Sequence, residues 1–104
     1  MKIVRSRKII AIPPGATIRE QLKMRKMTQK EFAARMDMSE KDISQLINGE
    51  VRLMPEVAKR LEDIFGISAT FWNNLEARYQ ERVIKAQEEN EKDTDKFARD
   101  MLSS

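Results

Sequence analysis

Between residues 40 and 48, polar side chains recur about one helical turn apart. The polar set is Glu40, Lys41, Ser44, Gln45 and Asn48, and the interleaved apolar set is Ile43, Leu46 and Ile47. A helix over this segment would bury the apolar side and expose the polar one. Lys, Ser and Gln side chains can hydrogen-bond to the edges of base pairs. Such a helix can therefore lie in the major groove of duplex DNA.

Two short helices joined by a very short turn would position this polar set. Each begins with a capping-box pattern, Thr28-x-x-Glu31 for the first and Ser39-x-x-Asp42 for the second. The predicted helices, 29–36 and 40–48, are separated by only three residues, which is typical of a helix-turn-helix. Ala33 is expected where the two helices cross closely, because a larger side chain would hold them apart.

Similar boundary signals mark the rest of the chain. Pro55 suits the first turn of a helix, Gly66 its end and Ser68 the start of the next helix. The full prediction is five helices, over residues 14–25, 29–36, 40–48, 55–65 and 69 to about 88. We expect an all-α domain over 13–87, a basic extended arm over 1–12, and a charged, acidic and flexible tail over 88–104.

The composition excludes most catalytic chemistry. The chain contains no His and no Cys, so it lacks the usual general base, every thiolate nucleophile and every disulfide. Zinc sites are built mainly from these two residue types. We therefore expect no enzymatic activity, no metal site and no cofactor.

Charge is distributed unevenly along the chain. The first 35 residues contain ten Lys and Arg against two Glu, a net +8, whereas residues 36–104 carry a net −5. Such asymmetry indicates a polyanionic partner for the basic part. The alternative is that these charges only solvate helix faces, and it stays open for Lys23, Arg25 and Lys26, which precede the Thr28 helix start.

Length and hydropathy favour a small soluble protein. A chain of 104 residues and 12.2 kDa makes one domain. No apolar run approaches the 18 or so residues that a membrane span needs, and Pro13-Pro14-Gly15 interrupts the N-terminus too early for a signal peptide. We expect a cytoplasmic protein with no membrane partner.

The last predicted helix carries an apolar stripe formed by Leu75, Tyr79 and Val83. This stripe continues beyond the length that a compact four-helix core needs to cover, so we expect it to be exposed. A single helix-turn-helix contacts only half of a DNA site, so two copies are required for useful affinity. We therefore predict a homodimer on a palindromic operator, with these three residues at or near the two-fold interface.

Two parts of the chain resemble a known family. The segments 28–33 and 38–49 resemble the helix-turn-helix of the lambda-repressor/Cro-like (XRE) superfamily. Pro14-Gly15, Pro55-Glu56 and the pattern Phe65-Gly66-Ile67-Ser68-x-x-Phe71-Trp72-x-x-Leu75-x-x-x-Tyr79 are similar to HigA-type antitoxins, also called plasmid-maintenance antidote or virulence-associated protein I. The resemblance covers about residues 12–86.

This resemblance implies a five-helix, lambda-repressor-like fold and a dimeric DNA-binding repressor. The family's antitoxins neutralise a RelE-like, messenger-RNA-cleaving toxin and repress their own operon. Matching positions imply DNA contacts from Gln29, Ser39, Glu40, Lys41, Ser44, Gln45 and Asn48. Among them, Gln29 and Asn48 would anchor phosphates, while Glu40, Lys41, Ser44 and Gln45 would face bases.

Two departures from the family pattern keep alternatives open. Asp37 occupies a turn position usually filled by Gly, and Glu40 and Asp42 place two acids at the front of the helix that approaches DNA. One alternative is a stand-alone regulator without a toxin, or the DNA-binding part of a longer protein. The other is a protein-interaction module that has lost DNA binding.

Overall fold

The computed structural model describes the backbone of residues 1–102 and the side chains of residues 1–91. Its elements are β1 (Val4–Arg5), β2 (Ile10–Ala11), α1 (Gly15–Met24), α2 (Gln29–Met36), α3 (Glu40–Ile47), α4 (Pro55–Phe65) and α5 (Ala69–Leu102). The five-helix, all-α, lambda-repressor-like prediction is confirmed. Within the described residues, none of the helices is long and apolar enough to cross a membrane.

Helices α1, α2, α3 and α4 and the first turns of α5 share one hydrophobic core. Phe32, Trp72 and Leu61 are fully buried in it. The Phe32 and Phe65 rings stack with centroids 5.4 Å apart, and the Phe65 and Trp72 centroids are 6.2 Å apart. Because Trp72 follows directly from the Ser68 helix start, burial of its ring fixes where α5 leaves the domain.

Helices α2 and α3 each begin with a side-chain cap, and the turn between them begins at Asp37. The Thr28 hydroxyl accepts a hydrogen bond from the Glu31 N–H, and the Ser39 hydroxyl accepts one from the Asp42 N–H, both at 3.0 Å. Asp37 ends α2 in the left-handed conformation, at φ 54° and ψ 45°, which costs a non-glycine residue energy. The caps predicted at Thr28 and Ser39 are therefore present, and Asp37 adopts the left-handed conformation at the turn position usually filled by Gly.

The N-terminal arm forms a hairpin against α5. Strands β1 and β2 pair antiparallel, with Val4 opposite Ala11 and Arg5 opposite Ile10. Ala11 and, on α5, Ala86 have no exposed surface, since the hairpin packs on the last helix. The extended arm expected from the sequence thus folds back and covers part of the apolar stripe of α5.

Helix α5 continues to Leu102, well past the end predicted near residue 88. The predicted tail at 88–104 therefore begins within this helix. The side chains of its residues after 91, including Phe97, Met101 and Leu102, lie outside the described part of the chain, so the prediction of a flexible tail stays a prediction.

Candidate nucleic-acid interface

Helix α3 presents the polar face that the sequence predicted. Glu40 and Lys41 are exposed, and Ser44 and Gln45 are half-buried. The opposite side is apolar and buried, with Ile43, Leu46 and Ile47 at most 3% exposed. The predicted rotation of this helix is therefore correct, and its polar side is open to a groove-shaped partner.

Both ends of α3 are fixed by hydrogen bonds from its own polar residues. At the N-terminal end, Ser39 is occupied as the cap, and Glu40 and Asp42 lie in the first turn. Acidic side chains are favourable there because they interact with the positive end of the helix dipole. At the C-terminal end, the Asn48 side-chain amide donates to the Ser44 hydroxyl at 3.4 Å. The two unexpected acids thus have a structural explanation.

Arg19 of α1 is a site residue that sequence reasoning missed. Its Nη2 donates a hydrogen bond to Oδ1 of Asn48 at 3.2 Å, and its side chain is exposed. The contact spans 29 residues of sequence, and no motif at Arg19 signals it. It exists because α1 packs directly on the end of α3, where Gly15 lies against the backbone of Ile47.

The basic residues before α2 divide into two groups. Arg25 has a structural role, since its Nη2 donates to the Phe65 carbonyl at 2.8 Å and its guanidinium lies 4.9 Å from the Phe65 ring centroid. Lys23 and Lys26 are exposed, as is Gln29 at the first position of α2. The open question of phosphate contact by Lys23, Arg25 and Lys26 is thus narrowed to the two lysines.

A buried carboxylate holds the loop that follows α3. Oε1 of Glu76, on α5, accepts a hydrogen bond from the Leu53 N–H at 2.6 Å. Next to it, the pKa of Tyr79 is raised, first by burial of the phenol and then by the negative charge of Glu76. The bond from Leu53 to Glu76 therefore connects the loop between α3 and α4 to the last helix.

The three residues predicted for the dimer interface do not form an exposed stripe. Tyr79 is only 7% exposed, and its hydroxyl donates to the Lys2 carbonyl at 2.9 Å. Leu75 packs against the core, and Val83 lies half-buried in a cleft beside Val51. The expectation of an exposed stripe was wrong because the chain's own hairpin covers its middle.

The chain matches a protein family and is similar to a bacterial regulator. The model of a family described as helix-turn-helix matches residues 18–72. A relative from Escherichia coli (strain K12), the uncharacterized HTH-type transcriptional regulator YddM, is 35% identical over 63 residues, which are 61% of this chain and 67% of the relative.

Two similar solved structures are antitoxins or antidote proteins. One is an addiction module antidote protein of the HigA family from Coxiella burnetii, with TM-score 0.69, 25% identity, and coverage of 79% of this chain and 89% of that chain. The other is the Pseudomonas aeruginosa antitoxin HigA with higBA promoter, with TM-score 0.67, 26% identity, and coverage of 81% and 90%.

Proposed function

We propose that two copies of this chain, which belongs to the helix-turn-helix family of DNA-binding transcriptional regulators, bind a palindromic operator. Bound there, they repress transcription. The observation that carries the proposal is the polar, exposed side of α3 set on a buried apolar back. The basic first third of the chain adds the charge that attracts a duplex.

In this proposal, some polar side chains of α2 and α3 contact the bases and others contact the phosphates. Lys41 and Gln45 have the length and the hydrogen-bonding groups to reach base edges, with Glu40 and Ser44 beside them. Gln29, at the start of α2, and Asn48, at the end of α3, anchor phosphates on either side of the groove. Ser39 holds the first turn in place as its cap.

We further propose that the protein is the antitoxin of a type II toxin–antitoxin module, with a RelE-like, messenger-RNA-cleaving toxin as its partner. The HigA-family structures above support this, one of them solved with its promoter. The second protomer packs on the part of α5 that the hairpin leaves open, around Val83. Tyr79 and Leu75 support that contact from beneath.

The test measures binding of the full chain to labelled duplex DNA from upstream of its own gene, beside a shuffled duplex of equal length. Preferential binding to the upstream DNA supports the repressor, and equal or absent binding contradicts it. Absent binding together with binding to a protein partner favours the interaction module.

Co-expression with the product of a small open reading frame next to its gene tests the antitoxin role, and a gene without such a neighbour contradicts that role. The role is supported if the neighbour's product stops growth when expressed alone, if this chain restores growth, and if the two proteins co-purify. A DNA-binding protein that neither rescues growth nor co-purifies with the neighbour is a stand-alone regulator.

A further inference from the structure

We propose that Lys2 and Arg19 form a phosphate-binding pair at the C-terminal end of α3, which makes the N-terminal hairpin part of the DNA interface. The inference rests on the proposed function and extends it beyond the helix-turn-helix. Its ligand is the sugar–phosphate backbone of the same duplex whose bases α3 contacts.

The backbone of Lys2 is fixed from two sides. Its N–H donates to the Asn48 carbonyl at 2.6 Å, and its carbonyl accepts from the Tyr79 hydroxyl at 2.9 Å. The residue is nevertheless exposed, so its ammonium group can move while its Cα stays beside α3. The hairpin thereby holds a cation next to a residue that the proposed function assigns to phosphate contact.

Arg19 approaches the same residue from α1. One N–H of its guanidinium bonds to Oδ1 of Asn48, and a guanidinium has five donors, so four remain for other acceptors. An open cleft of about 490 Å³ beside Asn48 is lined by Met1, Lys2 and Glu50. Among the described residues that line this cleft Glu50 is the one acid, whereas Lys2 also lines it and Arg19 bonds to Asn48 in its wall.

The two cations offset the negative charge at the C-terminal end of α3. The C-terminal end of a helix carries partial negative charge, which repels an anion such as phosphate. An ammonium and a guanidinium offset that repulsion and donate charge-assisted hydrogen bonds to phosphate oxygens. Contacts of this kind carry no sequence information, but they set the register of the protein on the duplex.

The chain offers a matched control in Lys8. It is an exposed lysine on the same hairpin, but its N–H bonds to Glu89, ten residues beyond Tyr79 on α5. That separation corresponds to about 15 Å along a helix. Lys8→Ala therefore changes the net charge as Lys2→Ala does, at a place away from α3.

The experiment measures the affinity of the full chain for operator and shuffled duplexes over a range of salt concentrations. We expect Lys2→Ala and Arg19→Ala each to weaken binding to both duplexes by the same factor. Each should also lower the slope of log K against log salt by about one per bound protomer. Lys8→Ala should leave the slope unchanged. Because both Lys2 hydrogen bonds are made by its backbone, circular dichroism should show an unaltered fold.

Equal slopes for Lys2→Ala and Lys8→Ala would overturn the inference and leave the proposed function intact, since net charge would then be the whole effect. Loss of affinity for the operator alone would also overturn it, because the pair would be contacting bases. A wild-type chain that binds neither duplex refutes the proposed function and this inference together.

Discussion

The hydroxyl of Tyr79 and the carbonyl of Lys2 are 2.9 Å apart and hydrogen-bonded across 77 residues of sequence. The same Lys2 residue donates its N–H to Asn48, so one residue of the hairpin connects α5 to the end of α3. The position of α3 thus depends on contacts outside the helix-turn-helix. This connection accounts for a buried tyrosine in a helix whose other face is solvated.

Tyr79→Phe should remove this connection with little change in packing. We expect a loss of about 1 kcal/mol in the free energy of unfolding, since one largely buried hydrogen bond is lost. Urea denaturation measures it. Amide exchange at Lys2 and Ile3 should also become faster, and unchanged exchange there would mean that the hairpin is held without this bond.

The raised pKa of Tyr79 predicts a pH effect of definite sign. The unfolded chain loses the phenolic proton at its ordinary pKa of about 10, whereas the folded chain retains it to higher pH. This contribution to stability is complete below pH 10 and declines as the pH rises from there through the folded pKa. The measurement is the difference in stability between wild type and Tyr79→Phe, which cancels contributions common to both proteins and should shrink above pH 10.

Substitutions on α3 should separate sequence specificity from overall affinity. Gln45→Ala or Lys41→Ala is expected to cost about 1–3 kcal/mol on the operator and little on shuffled DNA, because base contacts are lost. Gln29→Ala should weaken both alike. Fluorescence anisotropy with both duplexes measures this, and equal losses for Gln45→Ala would remove its base-contacting role.

Leu46 tests the connection between α3 and the core. It is 3% exposed, and Leu46→Ala should destabilise the fold by about 2–5 kcal/mol through the cavity it leaves. Lys41→Ala, one of the exposed positions on the same helix, should stay within about 0.5 kcal/mol. Thermal unfolding of both variants makes the comparison, and a small effect at Leu46 would contradict the burial of this side.

Gly15 sets how closely α1 approaches α3. A Cβ at this position would overlap the backbone of Ile47, whereas a Cβ at Gly66 would meet nothing within 4 Å. Gly66→Ala should therefore cost only about 1–2 kcal/mol for its left-handed conformation. Gly15→Ala should destabilise the fold more than Gly66→Ala, because α1 must move away from the Ile47 backbone. It should also weaken DNA binding, because displacing α1 moves Arg19 away from Asn48. If Gly15→Ala retains wild-type affinity, α1 and α3 can separate without consequence.

The parts predicted well from sequence are those specified by local signals. Helices α2 and α4 have the predicted bounds, because Thr28, Pro55 and Gly66 act on their immediate neighbours. The contacts of Arg19 with Asn48 and of Tyr79 with Lys2 join distant segments, and no local pattern encodes which segments meet. The prediction of an exposed stripe on α5 was wrong for the same reason, since β-branched residues near the N-terminus fold back onto this helix.

The dimer interface is the remaining test of the proposed operator binding. Val83 is half-buried and lies in a cleft of about 210 Å³ whose lining includes Val51 and Gln80. Val83→Asp would place a charge where we propose that the second protomer packs, which is costly for a desolvated carboxylate. We expect a folded monomer in sedimentation velocity and a large loss of operator affinity, because each monomer then holds only half a site.

Ile84→Asp is the matched control for this substitution. Ile84 is the next residue on α5 and is 55% exposed, so it receives the same charge outside the cleft. It should leave the protein dimeric and bound to the operator. If Val83→Asp also stays dimeric, the two-fold contact lies elsewhere, and the outer edges of the hairpin strands become the next place to test, since unpaired strand edges can join a second copy.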